Sequence, residues 1–452
     1  MSFARREIRP KPLSVALVSG LCLLLGFFLS SCATAPPSVQ PQVNSLVVAE
    51  RFDRALKILD DNAQSYGPQN QLLRLLDQGL VLHLAGKYQD SIAVFEKAKQ
   101  KFDELYTQSV TQNAASWFWN DYALPYRGED FERVMINIFQ AINYALVGNI
   151  AEALVEARDV DSALTAINAA YRPDQKNVYK EDAFARLLMG ILYETSGGDV
   201  DLNDAFISYE KSVEVYESDK NDYAFAPPLL LKENLLAVAE FMGRAELEKY
   251  RRKFAGIHYP SLQARREKAE VYVIHYQGLS PIKTQDSFVV PLPGGLMTRF
   301  AFPKYDQRAC EFRSMDFIAK AEGRQLFATS TELGEDVERI AIKNLENRKV
   351  RVMFKAVARP AAKYALERAA DQKIKRRHGE FAARLFRLGS SFYNIVSEEA
   401  DLRSWQTLPA QIRLARLVLP PGSYEFSLDG KTLGTATMKA GEKKFFVVRT
   451  TR

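Results

Sequence analysis

"GLVLHLAGKYQDSIAVFEKA" (79–98) is the stretch on which the reading of this chain turns. Apolar residues recur at three and four on both sides of "AGKY", a spacing that predicts two helices joined by a tight turn. Gly79, Ser91 and Ala98 are small where two antiparallel helices would meet, and Phe95 supplies a ring to fill the space beside them. "AINYALVGNIAEALVEA" (141–157) repeats the arrangement with Ala141, Tyr144, Ala153 and Ala157. "GILYETSGGDVDLNDAFISYEKS" (190–212) repeats it again with Gly190, Tyr193, Ala205, Tyr209 and Ser212 around a short insertion. A single helix pair cannot bury its apolar face alone, so recurrence predicts a stack.

These offsets of small and aromatic residues resemble those of the tetratricopeptide repeat. The equivalent residues Ser91, Ala153 and Ala205 stand 62 and 52 positions apart, against about 34 in a regular array. Extra helices or insertions must therefore separate the pairs. "PPLLLKENLLAVAEFMGRAELEKYRRKF" (227–254) reads as a final helical hairpin that caps the stack. A tetratricopeptide-like helical domain is expected over residues 46–258.

Beyond "HYPSLQARREK" the period changes. "EVYVIHYQG" (270–278), "DSFVVPLP" (286–293) and "MTRFAFPKY" (297–305) alternate or run apolar and β-branched, and "PGG" reads as a turn. A second helical stretch covers roughly 334–400, broken near "RRHGE". Strands return in "IRLARLVL", "SYEFSLDGKTLGTATM" and "AGEKKFFVVRT", with Asp429-Gly430 a strong hairpin signal. Strands, then helices, then strands predict a β-rich α+β domain over 259–452 whose terminal strands complete the early sheet. The fold class expected is α+β multidomain, with the all-α solenoid first.

The N-terminus has its own order. "MSFARREIRPKP" is basic, Leu13–Leu29 is apolar apart from two serines and two glycines, and "LSSCATAPP" (29–37) follows. That is the order of a secretory signal. The leucine, two small residues and cysteine also resemble the bacterial lipobox. The resemblance implies cleavage after residue 31, diacylglycerol on the Cys32 sulfur, and, with Ala33 next, sorting to the outer membrane. An uncleaved anchor is the competing reading, since 17 apolar residues just span a bilayer. "ATAPPSVQPQVNS" reads as a flexible linker, so residues 32–45 are expected to join lipid to fold. With Cys22 in the signal and Cys32 acylated, Cys310 stands alone and no intramolecular disulfide forms in the mature chain.

The net charge of +6 includes +3 from residues 1–31, which leaves about +3 (6 − 3) on the remainder. So weak an excess argues against a nucleic-acid partner. His83, His258, His275 and His378 share no helical or hairpin spacing, and no HExxH or paired-cysteine motif occurs, so no metal site is expected. Neither GxSxG nor a glycine-rich phosphate loop is present. No cofactor, catalytic residue or enzymatic activity is expected, although paired carboxylates leave no local signature. "DVDLNDAFISYE" (199–210) places Asp199, Asp201, Asn203 and Glu210 at calcium-loop positions, but Asp204 stands where that loop needs glycine. Helix capping accounts for these residues better.

Three stretches are candidates for binding. "NAASWFWNDYALPYRGEDFERV" (113–134) gathers Trp117, Trp119, Tyr122, Tyr126, Arg127 and Arg133, residue types that anchor interfaces. Filling the gap between irregular repeats is the alternative use of such rings. "KIKRRH" (373–378), with Arg384 and Arg387 beyond, suits anionic lipid heads or cell-wall carboxylates, but Glu380 and Asp371 interrupt it, which favours a solvated helix surface. In "RSWQTLPAQIRLARLVLPPGSYEF" (403–426), Trp405 and Pro409 precede a strand, either as a ligand-binding edge or as a buried plug.

"YRGEDFERVMINIFQAINYALVGNIAEALVEARDV" (126–160) and "RSWQTLPAQIRLARL" resemble an uncharacterised family of bacterial lipoproteins with tetratricopeptide-like helices. The resemblance covers nearly the whole chain and implies the order tether, linker, solenoid, β-rich domain, with no catalytic residues to carry over. The expected function is an outer-membrane-anchored, periplasm-facing scaffold that holds a protein partner of the cell envelope in the concave face of its repeats. The alternative is a cell-wall (peptidoglycan) or glycan-binding lipoprotein that uses the C-terminal β-rich domain, with an exposed Trp405 or tyrosines in a planar row.

Overall fold

The computed structural model describes residues 39–111, 122, 124–170, 181–218, 225–293 and 295–451. Cys32, Trp117 and Trp119 lie outside the described residues. Helices pair from the start: α1 (Gln40–Val48) with α2 (Phe52–Asp61), α3 (Gln71–Leu84) with α4 (Tyr88–Thr111), and α5 (Asp130–Leu146) with α6 (Ile150–Ala170). Then α7 (Ala183–Ser196) packs on α8 (Asp199–Tyr216), and α9 (Leu229–Met242) on α10 (Arg244–Lys253).

Small residues set the spacing within the pairs. A methyl group at Gly79 would sit 2.6 Å from the Phe95 ring, and one at Gly190 would sit 2.3 Å from the Tyr209 ring. No side chain larger than hydrogen fits without moving a buried ring. Ser91 Oγ donates to the Gly79 carbonyl at 2.7 Å and Ser212 Oγ to the Ala183 carbonyl at 2.7 Å, which satisfies the hydroxyls inside the contact. The turn between α5 and α6 closes at Gly148, whose φ of 81° favours glycine.

The expected linker ends earlier than residue 45. Helix α1 begins at Gln40 with Pro41 in its first turn, and Val43 and Val47 are fully buried. Gln40 donates to Asp77 and to the Ser404 carbonyl, and Asn44 donates to Gln406 at 2.9 Å. Proline and glutamine suggested a solvated tract, but here they start a helix and bond a distant segment.

After a short α11 (Leu262–Arg266), β1 (Ala269–Gln277) opens the sheet region. β2 (Ile282–Leu292) and β3 (Leu296–Asp306) form a separate hairpin. β4 (Asp316–Ala321), β5 (Arg324–Ser330) and β6 (Glu332–Glu335) follow, three strands that the sequence pattern did not single out. α12 (Val337–Ser397) is broken at Gly379, within the expected "RRHGE". β7 (Gln411–Leu419), β8 (Gly422–Leu428), β9 (Lys431–Met438) and β10 (Lys443–Thr450) end the chain. One sheet runs β10-β1-β7-β6, with β10 parallel to β1, so the terminal strand completes the early sheet as expected. The other runs β5-β4-β8-β9, and Asp429 and Gly430 at positive φ make the two-residue turn between β8 and β9.

The first sheet has two buried faces. Tyr272, Ile274 and Tyr276 of β1 join the apolar core of the helices, while Val271 and Val273 face the second sheet with Phe317 and Phe426. The expected boundary near 258 therefore separates helices from strands, but one core runs through both. Buried charge ties them as well. Glu194 of α7 pairs with Arg265 at 2.9 Å and with Lys443 of β10 at 3.0 Å, and Arg265 also meets Glu270 at 3.1 Å.

Candidate functional site: an occupied groove and a charged cleft

The groove formed by α3, α4 and α5 is not empty. Residues 402–408, between α12 and β7, lie along it. The Trp405 ring meets Phe95 at 5.8 Å and Phe139 at 5.9 Å between centroids, and it is fully buried. Its backbone N–H donates to Glu132 at 2.7 Å, and its indole N–H to the Thr407 hydroxyl at 2.9 Å. That hydroxyl donates in turn to Asp77 at 2.9 Å. Ser280 closes the far side, its Oγ donating to the Trp405 carbonyl at 3.0 Å. The helices thus grip a non-helical piece of their own chain, which turns at residues 406–407, through its backbone and one large ring.

Burial governs the acids beneath this segment. It pushes the Glu132 carboxyl up to about 7, although the hydrogen bond from Tyr126 works the other way. It pushes Asp77 up to about 6 against hydrogen bonds from Thr407, Tyr66 and Gln40. Both are sealed under residues 404–407, so they serve the docking rather than an open reaction site. His83 is likewise structural. It bonds Asn143 at 2.6 Å and Tyr276 at 2.9 Å, and burial holds it down at about 4. Among the described residues no group of His, Cys, Asp and Glu is placed to hold a metal ion. Asp199, Asp201 and Asn203 form the first turn of α8, where Asp201 accepts from the Gly198 N–H, so they do not form a loop.

The aromatic candidates take an unexpected position. Tyr122 and Tyr126 are buried, and the Arg403 guanidinium lies over both rings at 5.3 and 5.4 Å. Tyr126 donates to Glu132 at 2.7 Å, and Tyr122 accepts from the Leu402 N–H at 3.0 Å. Both were expected to face a partner, and both instead clamp residues 402–403. Arg133 pairs with Asp103 at 2.6 Å across α4 and α5. Trp405, expected as an exposed ring on a glycan-binding sheet or as a buried plug of that sheet, is buried, but in the helical groove, so it offers no exposed ring to a glycan.

Arg127 has a different setting. It borders an open cavity of about 270 Å³ whose walls also include Glu129, Lys283, Arg348, Glu398 and Asp401. The loop before α5, the hairpin β2–β3, residues 345–356 of α12 and the segment that follows α12 converge there. Glu129 lies between Lys283 and Arg348, and Lys363 pairs with Glu398. Burial opposes ionisation of Asp401, but Arg403 at 2.7 Å outweighs it and holds the carboxyl below its ordinary value. Glu129, Glu398 and Asp401 each have a cation beside them, an arrangement suited to binding polar groups. Local patterns could not find it, because its residues lie up to 279 positions apart, from 124 to 403 (403 − 124).

No family model matches this chain, and no curated protein matches it. Among solved structures it is similar to a kinesin light chain of Podosopora anserina with nearly identical TPR-like repeats, at 13% identity, covering 50% of this chain and 96% of that one with a TM-score of 0.32. A point variant of that protein gives 13%, 49%, 92% and 0.31. NprR in complex with its cognate peptide NprX gives 14% identity, 53% of this chain, 72% of that one and a TM-score of 0.19. At such scores the likeness adds no argument to the one made by the Gly79–Phe95 and Gly190–Tyr209 contacts.

Proposed function

We propose that this chain is a non-enzymatic scaffold, tethered by lipid on Cys32 to the outer membrane of a bacterial cell envelope and facing the periplasm. It holds a protein partner in the cleft beside Arg127. The observation that carries the reading is the occupation of the repeat groove by residues 402–408. The repeat groove expected to take a partner already holds a segment of its own chain, and the neighbouring cleft offers a partner a different concave surface. The segment bearing Trp117 and Trp119 immediately precedes that cleft in sequence and supplies apolar anchors for the same partner.

A photoreactive amino acid placed at position 127 in intact cells tests this. The expected result is a crosslink to one protein in stoichiometric yield, absent when the photoreactive group sits at position 57 on α2. Cell-wall fragments captured without a protein, or equal capture at both positions, would overturn the cleft as the partner site.

A further inference from the structure

Helix α12 does not run as one rod. Gly379, at φ 85° and ψ 177°, breaks it, and its two arms fold back on each other. Arg387 pairs with Asp371 at 3.0 Å across the turn, and Asn394 donates to Glu367 at 3.0 Å. One side of this hairpin is fastened to β2–β3, where Ser391 Oγ accepts from the Met297 N–H at 2.9 Å and Tyr364 donates to the Pro293 carbonyl at 3.1 Å.

The second arm turns its apolar residues outward. Phe381, Leu385, Leu388 and Phe392 are 73%, 52%, 69% and 72% exposed. At about 100° per residue they fall within an arc of about 60° on one helix face. An unbroken stripe of large apolar side chains in water marks a contact surface.

The charge around that stripe has one sign. Residues 361–392 contain eight Lys or Arg and three Asp or Glu, a net of +5 (8 − 3). The acids that interrupt the basic run are already engaged: Glu380 by Lys375 at 2.6 Å and Arg387 at 2.8 Å, Asp371 by Arg387, and Glu367 by Asn394. They do not neutralise the rest. Arg368, Lys373, Arg376, Arg377 and Arg384 are exposed and make no ion pair among the described residues.

We propose that the tip of this hairpin lies on an anionic phospholipid surface. The Phe381–Phe392 stripe sinks to the boundary of headgroups and acyl chains, and the five cations sit among the phosphates. No helix among the described residues is long and apolar enough to cross a membrane, so the contact is with the surface. Charge decides against a second copy of the chain, because two tips would bring +5 against +5. The contact is independent of the partner proposed for the cleft, and either can fail without the other.

The test uses the full chain with an environment-sensitive fluorescent amino acid at position 389, where a Cβ on Gly389 meets nothing within 4 Å. A matched chain carries the same group at position 57, on α2. Each is mixed with vesicles of phosphatidylglycerol and phosphatidylcholine, or of phosphatidylcholine alone, containing a spin-labelled quenching lipid. Quenching is expected at 389 and not at 57, and only on the anionic vesicles. Each cation at the surface contributes about fivefold in partitioning, so Arg376→Glu with Arg377→Glu weakens it at least about 25-fold while leaving the thermal midpoint unchanged. Absence of quenching at 389 on anionic vesicles, or equal quenching at both positions, would overturn the proposal. So would a fluorescence change that grows with protein concentration in the absence of lipid, since it would assign the stripe to a second copy.

Discussion

Truncating Trp405 should cost this protein more than any other single change in the segment it belongs to. The ring is fully buried and packs edge-on against Phe95, so Trp405→Ala leaves a cavity among side chains that cannot collapse into it. Such truncations cost about 3–5 kcal/mol. The backbone bond to Glu132 survives, which sets the expectation at about 4 kcal/mol, a large part of the 5–15 kcal/mol typical of a folded domain. Urea unfolding followed by far-ultraviolet circular dichroism measures it. At a slope of about 3 kcal/mol per molar, the midpoint falls by about 1.3 M. Pairing the change with Phe95→Leu isolates the ring contact, and the two should couple by about 1 kcal/mol. A loss under about 1 kcal/mol for Trp405→Ala, or strict additivity of the pair, would refute the seating of this segment in the groove.

Gly190→Ala places a methyl group 2.3 Å from the Tyr209 ring, so it should destabilise the chain by about 1–3 kcal/mol despite the gain in helix propensity, as thermal unfolding would report. Burial holds Asp77 at about 6 in the fold against the ordinary 3.8. The stabilisation from its bound proton is fully present below about pH 3.8 and lost as pH rises through about 6, a swing of about 3 kcal/mol. Unfolding free energies of the native chain and Asp77→Asn across that window should therefore differ in slope; parallel curves would contradict the assignment. Cys32→Ser should release the chain to the soluble periplasmic fraction, whereas retention with an intact N-terminus would support the uncleaved anchor instead.

The parts of this fold that the sequence disclosed are those with local periodicity. Gly79 and Phe95, or Gly190 and Tyr209, lie within one helix pair, so their spacing alone specifies the contact. Asp429-Gly430 and the break beside His378 were legible for the same reason. Strands β4 to β6 were not, because Asp316–Glu335 mixes charged and apolar residues without a clean alternation. The site was hidden by distance. Tyr122 and Tyr126 have the composition of an interface anchor, and only the arrival of Arg403 from the far end of the chain turns them inward. Residues 402–408 carry no motif for docking, and only Trp405 signals that something must be buried there. Glu380 and Asp371 interrupt the basic run in sequence, and only the hairpin at Gly379 shows that they are committed to Lys375 and Arg387.

The repeat groove is filled in cis, and the amide hydrogen of Trp405 reports on that directly. It lies outside every helix and strand and donates to the buried Glu132 carboxylate. Native-state hydrogen exchange in increasing denaturant should show it exchanging only with global unfolding, with the slope of the buried strand β1. Fast exchange independent of denaturant would mean that the segment leaves the groove, that the concave face is open to a partner, and that the cleft beside Arg127 is not where partners bind.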